Sequence, residues 1–121
     1  MIDHIGIYVN DLNKGDNFYR SLFETIWYEI IFEHLQCIAY GVDGNPCFEI
    51  YTGKPASSNL HIAFYVKIKE QVSAFYKEAI ILGGEDNGIP GYRDYCPCYY
   101  AAFVIDLNGH NLEAVFIDKV G

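Results

Sequence analysis

Hydrophobic and polar positions alternate from the start of the chain. Ile5, Ile7 and Val9 fall on one side of a period-two pattern and His4, Gly6 and Tyr8 on the other, which predicts a strand over about 2–9. The period then lengthens. Leu12, Phe18, Tyr19, Leu22 and Phe23 share a face at helical spacing, just after Asn10 and Asp11, which suit an N-cap. A helix is expected over about 11–23, with Gly15 weakening it by about 1 kcal/mol relative to alanine. Three short runs rich in Ile, Tyr and Phe follow, at about 26–32, 37–42 and 47–51, and read as strands. A polar stretch at Glu33 and His34 separates the first two. Asp43, Gly44, Asn45 and Pro46 separate the next two with strong hairpin chemistry.

The plan is then written again. His61, Ile62, Ala63, Phe64, Tyr65 and Val66 repeat the stretch from His4 to Val9 at an offset of 57, and the register persists through Phe18 and Phe75, Tyr19 and Tyr76, Arg20 and Lys77. A helix is expected over about 69–82, with Val72, Phe75, Tyr76, Ala79 and Ile80 as its apolar stripe and Gly83 and Gly84 as its stop. The stretch 85–95, with Gly88, Pro90 and Gly91, reads as loop with at most one short strand. Runs at about 99–106 and 111–118 close a hairpin across Asn108 and Gly109. Each half therefore reads βαβββ, and 53–59, with Pro55 and two serines, is the one linker-like piece. The expected fold is a single α+β domain, residues 1–121, made of two modules, about 1–55 and 56–121. Paired, they would form a curved mixed sheet around a central cavity.

Composition narrows the function. A chain of 121 residues can bury a substantial core, and eleven Tyr and eight Phe point to a sheet-rich protein with a lined cavity. Eight basic against sixteen acidic residues give a net charge of −8, which disfavours nucleic acid as a partner. No run approaches the ~20 apolar residues of a membrane span, and the N-terminus lacks a signal-peptide profile, so no membrane partner and a cytoplasmic location are expected. Cys37, Cys47, Cys96 and Cys98 then read as reduced thiols. Cys96 and Cys98 flank a proline, but without a second pair they read as loop thiols rather than a zinc site.

Two acidic residues stand out inside strands. Glu49 lies between Phe48 and Ile50, and Glu113 between Leu112 and Ala114, each on the last strand of its module, where a buried carboxylate needs a partner. The repeat thus reads histidine on the first strand and glutamate on the fourth, twice. His4, Glu49, His61 and Glu113 are the candidate ligands of a first-row divalent metal (Zn, Ni, Mn or Fe), and Glu49 and Glu113 the candidate catalytic bases. The glutamates are 64 apart, so the second module carries seven extra residues, assigned to the loop around 85–95. Tyr8, Tyr65, Cys47 and Tyr51 share the cavity side by parity, with packing as the simpler reading. His34 and His110 fall in turns and are expected to be exposed.

These residues resemble a known family. The paired βαβββ plan, the opening from His4 to Val9 with its helix bearing Phe18, Tyr19 and Arg20, and the ending from Asp106 through Asn108, Gly109 and His110 to Glu113 are similar to the vicinal oxygen chelate superfamily. That superfamily includes glyoxalase I, bleomycin resistance proteins and extradiol dioxygenases. The resemblance covers essentially the whole chain, and the stretch from Tyr95 to Phe103 is similar to a glyoxalase-like bacterial subgroup. It implies a metal held by His4, Glu49, His61 and Glu113, lyase or isomerase chemistry on a small vicinal-oxygen substrate, and a homodimer. It also leaves two alternatives, a metal-free small-molecule binding or resistance protein and an Fe(II) extradiol-type dioxygenase. Lys and Arg are scattered, with no basic cluster suited to the carboxylates of glutathione.

Overall fold

The computed structural model describes residues 1–55, 59–95 and 97–118. They divide into two units, Met1–Ser58 and Asn59–Gly121. The first contains β1 (Ile5–Val9), α1 (Leu12–Glu24), β2 (Glu29–Glu33), β3 (Cys37–Val42) and β4 (Asn45–Thr52), and the second β5 (His61–Tyr65), α2 (Lys69–Ile81), β6 (Glu85–Arg93), β7 (Tyr99–Ile105) and β8 (Asn111–Ile117). Each unit is a βαβββ module with one four-stranded mixed sheet, ordered β1-β4-β3-β2 in the first and β5-β8-β7-β6 in the second. In both, the first strand runs parallel to the last and the other pairs are antiparallel. A parallel pair needs a long crossover connection, which the helix begins.

Local chemistry explains the elements. The Asp11 carboxylate accepts from the Lys14 backbone N–H at 3.1 Å and caps α1. At Gly15 α1 rides close on the sheet, because a Cβ there would lie 3.2 Å from Ile50 Cδ1 and 3.3 Å from Val9 Cγ2. Beneath the helix, Tyr19, Phe23, Tyr40 and Phe48 are buried and their rings interlock at centroid distances between 5.0 and 6.5 Å. Much of the aromatic content of this module is therefore packed core on the helix side of the sheet. In the second module the Gln71 side-chain oxygen accepts from the backbone N–H groups of Lys67 and Ile68 at the start of α2. Gly83, at φ +98°, ends that helix, and Gly84 N–H reaches back to the Ala79 carbonyl at 2.8 Å. Phe64, Val72, Phe75, Ala79 and Leu112 form the core under it. The β3–β4 hairpin turns on Asp43 and Gly44 alone, both at positive φ, with Val42 paired to Asn45. That is the primed two-residue turn that Asp-Gly favours.

Three expectations are corrected. The stretch 85–95 is mostly strand: β6 takes nine residues, with register shifts between Asp86 and Gly88 and between Gly88 and Gly91. Those bulges break the period-two pattern by which a strand is recognised. The extra residues of the second module belong to this hairpin, since paired Glu29 and Gly41 are twelve apart whereas the corresponding Glu85 and Ile105 are twenty apart. His110 is not exposed but 1 % accessible. Its Nδ1 accepts from Leu60 N–H at 3.3 Å, and its own N–H donates to the Asp106 carboxylate, which also takes Asn108 N–H at 2.8 Å. It locks the β7–β8 turn against the start of β5. Tyr8 and Tyr65 are more than half exposed and so are not core. His34 is exposed, as its turn position implies.

Cys37, Cys47 and Cys98 are free thiols, while Cys96, and with it the pairing with Cys98, lies outside the described residues, as do 56–58 of the linker-like piece. Among the described residues no helix is long and apolar enough to cross a membrane.

Candidate metal half-sites

Strand parity separates the two faces of β4. Phe48 and Ile50 are buried toward the helix, which sends Glu49 and Tyr51 to the other face. Parallel pairing sets Gly6 beside Glu49, and in the second module sets Ala63 beside Glu113. Small residues at these positions leave room over the carboxylates. At Gly6 the space is already used: a Cβ would come within 2.8 Å of the Tyr51 ring, which lies over it to reach Glu49.

In the first module His4 Nε2 faces Glu49 Oε1 at 3.8 Å, and His4 Nδ1–H donates to the Asp3 carboxylate at 2.8 Å. The Asp3 hydrogen bond, together with the charge of Glu49, raises the His4 pKa. The Tyr51 hydroxyl donates to Glu49 Oε1. That bond, helped by burial, pushes the Tyr51 phenol well above its usual range, so it stays a donor. Burial likewise raises the Cys37 thiol.

The second module repeats the arrangement more tightly. His61 Nε2 lies 3.0 Å from Glu113 Oε1, and Glu113 is 2 % exposed. His61 Nδ1 is 3.2 Å from the Asn111 carbonyl, which can only accept, so that nitrogen carries the proton. The Tyr99 hydroxyl donates to Glu113 Oε2. The His61 ring stacks on Phe103, the residue paired with Glu113, at 6.1 Å and 26°.

The donor chemistry fits a divalent metal. In a neutral His61 ring with its proton on Nδ1, Nε2 presents a lone pair to a carboxylate oxygen 3.0 Å away. Two acceptors that close call for a cation between them, either a proton or a metal ion. An acceptor on the outer nitrogen and a donor on the carboxylate are the supports that orient metal ligands. Imidazole with carboxylate is a donor set for first-row divalent ions. Among the described residues no group of three or more His, Cys, Asp or Glu is placed to hold a metal ion, and what each module shows is one His–Glu pair.

The four residues singled out in the sequence are thus brought together as two pairs, His4 with Glu49 and His61 with Glu113. The tyrosines are what sequence reasoning missed. Tyr51 had a signal, being two residues from Glu49 on the same strand face, but packing was the simpler reading. Tyr99 had none, because it comes from the neighbouring strand β7. Replacing it tests its role: Tyr99→Phe is expected to weaken metal binding about 10–100-fold, the usual cost of losing an outer support. Calorimetric titration with Mn(II) measures this, and unchanged affinity would assign Tyr99 to packing alone.

No protein-family model matches this chain, and no curated protein sequence matches it. Solved structures do. A glyoxalase/bleomycin resistance protein from Albidiferax ferrireducens T118 is similar at 27 % identity with a TM-score of 0.81, covering 94 % of this chain and 96 % of that one. A glutamate-to-glutamine mutant of a fosfomycin resistance protein, FosX, from Listeria monocytogenes, seen in complex with Mn(II) and 1S,2S-dihydroxypropylphosphonic acid, is similar at 23 % identity and a TM-score of 0.71, covering 94 % of this chain and 87 % of that one. Lactoylglutathione lyase from Agrobacterium tumefaciens is similar at 16 % identity and a TM-score of 0.70, covering 96 % and 92 %. The repeated βαβββ plan and these matches lead to one conclusion: over its full length this chain has the fold of the glyoxalase/bleomycin resistance/dioxygenase proteins, the vicinal oxygen chelate superfamily.

Proposed function

We propose that this chain is a glyoxalase-like, metal-dependent enzyme acting on a small substrate with vicinal oxygens. His4, Glu49, His61 and Glu113 hold one divalent ion from the two half-sites, within a chain or across a homodimer. The observation that supports this reading most is the duplicated pair: each module has a half-exposed imidazole whose Nε2 faces a nearly buried glutamate, itself held by a tyrosine. A structural histidine needs no such second copy. The Mn(II) complex of FosX, a protein of the same fold, is in keeping with it.

The metal, when bound, supplies Lewis-acid stabilisation of charge developing on a substrate oxygen. The protein's own groups divide the remaining work. Glu113 has a neighbour at each oxygen, His61 Nε2 3.0 Å from Oε1 and the Tyr99 hydroxyl donating to Oε2, and serves as the fixed ligand. Among the described residues Glu49 is held through Oε1 alone, by Tyr51 with His4 nearby. Its Oε2 is the oxygen that takes and returns a substrate proton. A buried carboxylate with one oxygen tethered can turn about that tether without leaving the site.

Elemental analysis of protein purified without chelator or a metal-affinity tag tests the reading. One Zn, Ni, Mn or Fe per chain is expected, and adding the ion back to stripped protein at a hundred times its Kd should stabilise the fold by about 2.7 kcal/mol. No stoichiometric metal and no thermal shift would leave a metal-free binding protein. Iron with oxygen-dependent turnover would assign a dioxygenase.

A further inference from the structure

The chain has two arginines, and they are used differently. Arg20 is consumed by its neighbours, bonding the Asp16 carboxylate and Glu33, an arrangement that raises its pKa further. Arg93 has no carboxylate within ion-pair distance among the described residues, in a chain with twice as many acidic as basic groups. One Nη2–H donates to the Ile89 carbonyl at 2.7 Å, which leaves most of its five N–H donors uncommitted.

Its position is the second observation. Arg93 is paired across the β6–β7 ladder with Tyr99, so its side chain shares a sheet face with the tyrosine that holds Glu113. The guanidinium carbon sits 5.4 Å from the centre of the Phe103 ring, the same ring on which His61 stacks. The guanidinium and the imidazole of the half-site therefore both sit against one phenyl ring. Glycine at 88 permits this, because a Cβ there would press on both Phe103 and Arg93 Nη2. Arg93 also lines a cavity of about 700 Å³ with Tyr92, Asp94, Tyr95, Pro97 and Cys98. Asp94 forms no ion pair with it.

We propose that Arg93 is the anchor for an anionic oxyacid group on the substrate, a carboxylate or a phosphonate, whose vicinal oxygens point toward His61 and Glu113. The planar fork of a guanidinium matches such a group with two parallel hydrogen bonds, and its seat on an aromatic ring keeps the fork oriented. The orientation toward His61 and Glu113 rests on the metal reading, whereas the anion anchor at Arg93 does not.

The experiment follows the two arginine Nε–H signals by NMR in metal-stripped protein kept in chelator, titrated with methylphosphonate and, separately, with acetate. Arg20, locked by its carboxylates, is the internal control. The Arg93 signal should shift and saturate with at least one of the two anions while Arg20 stays still, and the better anion names the acid group. No shift, or equal shifts at both arginines, would overturn the proposal. Arg93→Gln should lower the anion affinity at least tenfold and Arg93→Lys should restore part of it, whereas unchanged affinity in Arg93→Gln would also overturn it. Because no metal is present, failure of the metal reading leaves this outcome untouched. Adding Mn(II) should then tighten a phosphonate that also carries a vicinal diol and leave methylphosphonate unchanged. If Mn(II) is bound and yet gives the diol no advantage, the orientation toward His61 and Glu113 is wrong.

Discussion

Glu113→Gln is expected to lower metal affinity by more than a hundredfold, beyond the cost of losing an outer support such as Tyr99. The amide is nearly the same size as the carboxylate, so the loss is chemical. One carboxylate oxygen of Glu113 accepts from Tyr99 and the other faces the lone pair of His61. An amide has one oxygen. If that oxygen accepts from Tyr99, the NH2 donates into His61 Nε2 and blocks the nitrogen that a metal needs. If it faces His61 instead, the NH2 meets the Tyr99 hydroxyl, and the site has still lost a negative charge. Competition with a chromophoric chelator measures the affinity, and circular dichroism confirms the fold. Unchanged affinity would show that Glu113 is not a ligand.

Phe23→Ala is the substitution expected to cost most in stability, about 3–5 kcal/mol. Phe23 is fully enclosed, with its ring 5.2–5.4 Å from those of Tyr19, Tyr28, Tyr40 and Phe48. Its removal opens a cavity that four large, rigid rings fill poorly. Against a typical total stability of about 5–15 kcal/mol this is a large share, readable as a fall in the urea midpoint. The effect should reach the half-site, because Phe48 and Glu49 are neighbours on opposite faces of β4, and loosening one frees the other. A loss under about 1 kcal/mol would mean that the aromatic cluster is not the core of this module.

These two residues show what could be read in the sequence. Phe23 was visible as part of a helical apolar stripe, and Glu113 as a charge inside a greasy strand, because both signals are local and periodic. The repeat carried the rest of the plan, including which strand bears each of the paired histidines and glutamates. What stayed hidden depends on neighbours distant in sequence. The nine residues of β6 are paired through bulges that erase alternation, so Gly88, Pro90 and Gly91 read as loop. His110 sits in a turn and is nevertheless enclosed, because the turn folds against Leu60, fifty residues earlier. Tyr99 finds Glu113 only once β7 and β8 are in register. Arg93 is one scattered base until the hairpin places it on Phe103.

The two tyrosines set the modules apart. If the repeat had supplied them, the counterpart of Tyr51 would be a tyrosine at 115, but that residue is valine, and the counterpart of Tyr99 on the β3 side would be Leu35. The histidines and glutamates occupy matching places in the repeat, whereas each phenol reaches its carboxylate by a separate route, one along the strand and one across the sheet. The halves are thus no longer interchangeable parts. A chain assembled from two copies of either module would keep both His–Glu pairs yet hold both glutamates in the same way, and the proposed division between a fixed carboxylate and a turning one would be lost.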